Sequence, residues 1–271
     1  MKDQEMQKLS YHIVSEYYKN NLKPYFEYID DDVLWIGPAE KQILRTKKAI
    51  LNAWANEAPN LSFTMGNFSA FSIPLGKKYC NVILRFPVYT HYPDGETQTH
   101  NQRMDFLWAE RKVKAENGET QFLPRIVKIH ISNATRLDDQ DFIYAVHSKG
   151  LYTGQSVVPT GKSIFFRGLN GSIYYFFSDS IIFIENINYG RHTVVHTASE
   201  SIPAIEKTDY FLENYPEVFL APHTSYIVNP LHVRSVRRFS LTLDNDRTLP
   251  IPEKSYTAFK SALSEKLKHM Q

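Results

Sequence analysis

The sequence holds one cysteine, Cys80, so no disulfide can form within the chain. A chain of this length without disulfides suits a reducing compartment, and the cytoplasm is the expected location. No run of eighteen apolar residues occurs, which argues against a membrane-spanning helix. The first ten residues, "MKDQEMQKLS", are polar and charged, unlike a secretory or transit leader. An excess of one charge sign is also missing. The formal net charge is +2, and residues 161–271 carry 12 Lys and Arg against 11 Asp and Glu. Bulk charge therefore selects no partner, and only local clusters can point to nucleic acid. Internal repeats and low-complexity tracts are absent. So is a legible pairing of a nucleophile with a base, and two histidines, His91 and His100, are weak grounds for a metal. No catalytic residue, metal or cofactor is assigned.

What is present is apolar material: 42% hydrophobic residues and 14% aromatics, enough for one large core or two ordinary ones. "DQEMQKLSYHIVSEYYKNNL" has helical spacing through Met6, Leu9, Ile13, Val14 and Tyr17. "KPYFEYI" reads as a short helix, "DVLWIGPA" as a strand, and "TKKAILNAWANEA" as a helix capped by Thr46. From Leu61 onward come long strands, "LSFTMGNFSAFSI", "KYCNVILRFPVYTHY", "TQTHNQRMDFLWAERKV" and "PRIVKIHISNA", with turns at Pro93-Asp94-Gly95 and Asn117-Gly118. Helices followed by antiparallel strands predict an α+β domain with helices on one curved sheet. Residues 136–162 lose this regularity and read as a connector, which gives domains at 1–135 and 163–271. The second domain is mostly strands, with a helix at "AIEKTDYFLENYP" and a closing helix at "SYTAFKSALSEKLKHM".

"HTSYIVNPLHV", His223 to Val233, puts polar groups before a short apolar strand and Asn-Pro behind it. Asn229 is a preferred helix cap and Pro230 suits a first helical position, so the strand converts into a helical turn. His223 and Thr224 stand at the mouth of the strand, where side chains can face outward. With "SIIFIENINYGRHTVVHT" before it and "LTLDNDRTLPIPEKSYTAFKSAL" after it, this stretch resembles the LytTR DNA-binding domain over roughly residues 163–265. The resemblance implies a mostly-β scaffold that reads the major groove of double-stranded DNA with loops. It implies contacts from Arg191 and His192, from His223 and Thr224, and from Lys254 after the Ile-Pro element. Family members usually carry Arg or Asn at Thr224 and often Arg at Glu253, so this chain departs at both. Arg234, Arg237 and Arg238 form a basic run suited to phosphate.

The first 135 residues show no receiver-domain signature, and Asp30-Asp31-Asp32 stands in the wrong context for one. They resemble the SnoaL-like, ketosteroid-isomerase-like cone, which implies helices over a strand-built pocket. Fold alone gives such a pocket no function. Acid or base candidates are Asp32, His91, His100, Arg103, Asp105 and His130. The expected pocket wall is Trp35 and Trp54, with His91, Arg103 and Asp105. Arg103 and Asp105 share one strand face by period-two spacing and can pair with each other.

These readings describe a DNA-binding regulator whose N-terminal domain binds a small-molecule effector, forms a homodimer, or both, with no membrane partner. Two alternatives stand beside it. One is an isomerase- or dehydratase-type enzyme carrying a DNA-binding domain. The other is a protein-interaction module whose DNA binding has decayed, for which Glu253 is the motive.

Overall fold

In the computed structural model the first helix, α1 (Asp3–Tyr18), buries Met6, Gln7, Ser10, Ile13, Val14 and Tyr18, the stripe that three- and four-residue spacing dictates. The structure describes residues 2–56, 61–114, 119–134, 158 and 160–269. The Asn117-Gly118 turn and nearly all of the 136–162 connector lie outside these. The chain divides into two compact units, Met1–Val158 and Pro159–Gln271.

In the N-terminal unit α1 is closed off by Asn20, just beyond its last turn, whose left-handed φ of 63° lets Asn21 N–H reach back to the Glu16 carbonyl. Then come α2 (Lys23–Tyr28), β1 (Ile29–Ile36), β2 (Ile43–Arg45) and α3 (Lys47–Asn56). Thr46 caps α3, its Oγ1 accepting from Ala49 N–H at 3.3 Å. The remaining strands are β3 (Ser62–Met65), β4 (Phe68–Pro74), β5 (Tyr79–His91), β6 (Thr97–Lys114) and β7 (Thr120–Ala134). Within this unit the order is β2-β1-β7-β6-β5-β4, and β3 also pairs with β5.

Two features depart from the sequence reading. The stretch "LSFTMGNFSAFSI" is two strands, because Gly66 crosses β5 at Pro87, which has no N–H to continue the ladder. The sheet is not wholly antiparallel either, since β1 runs parallel to β7. The two are far apart in sequence, so no hairpin dictates their relative direction. Period-two alternation sends Val82, Leu84, Phe86, Met104, Phe106 and Trp108 to one buried face. A bulge near Leu107 leaves Val127 unpaired and shifts the phase of β7, so Ile126 and Ile129 both face inward. On that face Trp108 Nε1 donates to Ser10 Oγ of α1 at 3.0 Å.

The C-terminal unit opens with the hairpin β8 (Ser163–Arg167) and β9 (Ile173–Phe177). Next are β10 (Ile181–Ile187), β11 (His192–Thr197), β12 (Ser201–Ala204), α4 (Thr208–Asn214), β13 (Leu220–His223) and β14 (Tyr226–Val228). They form a five-stranded antiparallel sheet ordered β12-β11-β10-β14-β13. The chain closes with β15 (Val233–Arg237), β16 (Ser240–Leu243), β17 (Thr248–Pro250) and α5 (Glu253–His269). The run "IIFI" in β10 is buried throughout because cores lie on both sides of it. Ile184 packs with Phe211 and Ile227, and Phe183 with Val228, Leu241 and Phe259.

The helix read from Ala204 begins only at Thr208. Buried Glu206 accepts from the backbone N–H and Nε of Arg167, at 2.8 and 2.7 Å, and so holds Ile205 and Glu206 against β8. Asn229 caps the helical turn Pro230–His232 as the sequence indicated, its Oδ1 accepting from Leu231 N–H at 3.1 Å.

Candidate nucleic-acid interface and ligand cavity

Two turns of the C-terminal unit meet at one end of the five-stranded sheet. The β10–β11 loop, Asn188 to Arg191, leaves from the Ile187–His192 pair. The β13–β14 hairpin turns at Thr224 and Ser225, between the paired His223 and Tyr226. Asn186 joins them, since its backbone N–H donates to Ser225 O and its Nδ2 to Thr224 O, each at 2.8 Å. Arg191 and Thr224 are both exposed here.

The hairpin answers why polar residues precede the buried strand. His223 Nδ1 accepts from Ser225 N–H at 3.0 Å, so the ring carries its proton on Nε2. That N–H is a donor suited to a phosphate or a base edge.

The β10–β11 loop holds a residue that sequence reasoning missed. Asn188, Tyr189 and Gly190 have consecutive φ values of 49°, 57° and 77°. Left-handed backbone is ordinary for Gly and tolerated by Asn, but costly for Tyr. It leaves the Tyr189 side chain wholly exposed, at 108% relative accessibility. The Asn188 and Gly190 that flank Tyr189 were the sequence signal of such a turn. His192 is half-buried, with Nδ1 lacking a hydrogen-bond partner among the described residues.

The basic run splits. Arg234 pairs with Asp246 and donates to the Asp244 carbonyl, so its guanidinium closes the β16–β17 turn. Arg237 and Arg238 are exposed on the β15–β16 turn, with the Arg238 guanidinium 4.9 Å from the Phe239 ring centre. That turn abuts the start of α5, since Phe239 meets Tyr256 at 5.9 Å and Ile251 N–H donates to Phe239 O at 2.8 Å. Lys254 and Glu253 are exposed in the first turn of α5. Glu253 has a local role there, because a carboxylate favours the positive end of a helix.

Behind the loops, Glu185 accepts from Arg247 Nη2 at 2.9 Å and lies 3.4 Å from His196 Nε2. His196 stacks on Phe183 at 4.1 Å, and burial, with the Arg247 charge second, lowers its pKa below the ordinary histidine value.

The N-terminal unit contains a cavity of about 710 Å³, within the range of small-molecule sites. Trp35 and Trp54 line it, with Tyr17, Tyr18, Phe63 and Gln102. His91, Arg103 and Asp105 do not, which corrects their assignment to the wall. Arg103 and Asp105 alternate with Met104 and Phe106, so period two turns them to the opposite face. No ion pair joins them among the described residues. His91 is held by Thr64 and Thr97 hydroxyls at 2.9 and 3.0 Å. His100, named only as an acid or base candidate, does line the cavity, whereas Asp32 and His130 do not.

Residues 171–264 match the family model of the LytTr DNA-binding domain, and the C-terminal unit carries that domain. Among solved structures, a LytTr DNA-binding domain from Bacillus cereus is 19% identical with a TM-score of 0.32, covering 38% of this chain and 97% of its own. A ketosteroid isomerase-like protein from Erwinia carotovora atroseptica is 11% identical, with a TM-score of 0.39 over 48% of this chain and 93% of its own. An NTF2-like protein from Pseudomonas putida is 11% identical, with a TM-score of 0.36 over 54% and 96%. No curated protein matches the chain. No helix among the described residues is long and apolar enough to cross a membrane.

Proposed function

We propose that the protein is a transcriptional regulator that binds double-stranded DNA through its C-terminal unit, binds a small-molecule effector in its N-terminal cavity, and acts as a homodimer. The observation that carries the DNA reading is the match of residues 171–264 to the LytTr DNA-binding domain. Its support in the geometry is the pair of turns joined by Asn186, with Arg191 and Thr224 exposed and the half-buried His223 beside them at one end of the sheet. Tyr189 joins them as a contact, since strained, exposed aromatics cluster at binding sites. Arg237, Arg238 and Lys254 supply phosphate positioning from the β15–β16 turn and the start of α5.

The effector reading rests on the cavity. An isomerase or dehydratase needs an acid or base held against its substrate, most often a histidine or a carboxylate. His100 is an exposed lining residue of that kind, and the rest of the described wall is largely aromatic and aliphatic, the lining of a binding site.

The test is selection of bound duplexes from random DNA by the full chain. The expected result is a recurring sequence bound with strongly salt-dependent affinity. Recovery of no preferred duplex, with weak binding at low salt, would leave an interaction module as the better account.

A further inference from the structure

Resting on the reading of the cavity as a ligand site, we infer that its ligand is a flat aromatic molecule, neutral or carrying one negative charge at the end facing Lys41 and Gln42.

The walls argue for a flat π-system. Trp35 and Trp54 meet edge to face at 5.5 Å and 83°, Tyr17 meets Trp54 at 6.2 Å and 76°, and Tyr18 meets Phe63 at 5.9 Å and 64°. Such a lining presents ring faces and edges to whatever enters, and an aromatic guest completes the same contacts. Two of the polar lining residues, Tyr18 and Gln102, are already committed, while the buried Trp35 Nε1 has no hydrogen-bond partner among the described residues. Tyr18 donates to Gln102 Oε1, and Gln102 Nε2 donates to Asn133 Oδ1 at 3.4 Å. Burial pushes the Tyr18 phenol well above its usual range, so it stays neutral.

The mouth argues for the charge. The β1–β2 hairpin contributes Pro38, Lys41 and Gln42. Gln42 Oε1 accepts from Ala39 N–H at 3.1 Å, which leaves its NH2 group to donate. Lys41 is exposed and has no ion-pair partner among the described residues. Gly37 makes this arrangement fit, because a Cβ there would stand 2.4 Å from the Trp35 ring and 2.3 Å from Gln42 Oε1. A cation finds no countercharge among the described lining residues. Glu16, next to Tyr17, spends its oxygens on Lys19 and Asn21 at 2.9 and 2.7 Å. At the end of α1 the Glu16 and Tyr17 carbonyls are closed by the Lys19, Asn20 and Asn21 N–H groups.

The full chain is titrated calorimetrically with 2-naphthol, 2-naphthoate and (2-naphthyl)trimethylammonium. The first two should bind, naphthoate more tightly, and the cation about tenfold more weakly than naphthol. Lys41→Gln should bring naphthoate down to the affinity of naphthol. Ala53→Phe fills the cavity from α3 without removing a ring and should abolish binding of both, with a thermal melt confirming the fold. Trp54→Leu, which should weaken both probes, serves if Ala53→Phe does not fold. A cation bound as tightly as naphthol, or naphthoate indifferent to Lys41→Gln, overturns the ligand class and leaves the cavity as a site. Binding that persists in a folded Ala53→Phe, or binding by none of the probes, overturns the cavity reading and this inference with it.

Discussion

Arg191 and Glu253 occupy opposite positions in the balance between attraction and selectivity. Arg191 is an exposed guanidinium without an ion-pair partner among the described residues, on a loop held at the end of the sheet. Arg191→Ala should cost about 1–3 kcal/mol of duplex affinity and relax preference at one base position, read by anisotropy against single-position variants of the selected site. Equal loss on every sequence would make it a phosphate contact, and no loss would remove the loop from the interface. Glu253→Arg should strengthen binding and steepen the logarithmic salt slope by about one unit. The same change removes a carboxylate from the start of α5, at a cost of roughly 0.3–1 kcal/mol in a thermal melt. Unchanged binding would place Glu253 away from DNA, and weaker binding would make it a base reader. At this scale Arg191 and Thr224 were legible because motif order placed them on turns. Tyr189 was not, because left-handed backbone at a tyrosine follows from loop closure. Arg103 and Asp105 were misplaced although the signal existed: their alternation with Met104, Phe106 and Trp108 fixes the face.

The elements of the C-terminal unit are locked by a few polar side chains. Asn229 is fully buried and donates from Nδ2 to Ser178 O and Ile181 O at 2.8 and 3.1 Å while capping Leu231 N–H. Asn229→Ala leaves those groups unsatisfied and should destabilise the unit by roughly 2–4 kcal/mol in denaturant unfolding. A loss near zero would mean water replaces the amide. Its capping role was legible from Asn-Pro, but its grip on Ser178 and Ile181 was not, being made across about fifty residues of sequence. His196 adds a dependence on pH. Its pKa is lowered in the fold, so the unfolded chain takes up the proton more readily. Stability is therefore full above the ordinary histidine range and falls as pH drops through about 6.5. His196→Phe keeps a ring against Phe183 and should lose less stability than the parent between neutral and mildly acidic pH. Parallel melting curves for the two proteins across that window would contradict the assignment.

For the molecule as a whole, the outer face of the N-terminal sheet sets the expected assembly. The helices cover the inner face, where Trp35, Phe86, Phe106 and Trp108 are buried. The outer face carries Leu34, Ile36, Ile83 and Leu107, all half-buried, and Ile43, 61% exposed on the edge strand β2. Polar groups punctuate it, and Asp105 Oδ1 is buried there without a hydrogen-bond partner among the described residues. An apolar sheet face with an orphan acceptor suits a self-complementary contact, in which a twofold axis offers each patch a copy of itself. A dimer built on this face presents two C-terminal units to DNA, so the operator should hold two half-sites, about one or two helical turns apart. The full chain should sediment as a dimer at micromolar concentration without DNA. Leu107→Glu, in the middle of the face, should yield a folded monomer that binds a single half-site as the parent does and loses the advantage of the second. A parent chain that sediments as a monomer would move pairing onto the DNA. A Leu107→Glu variant that stays dimeric would move the interface off this sheet.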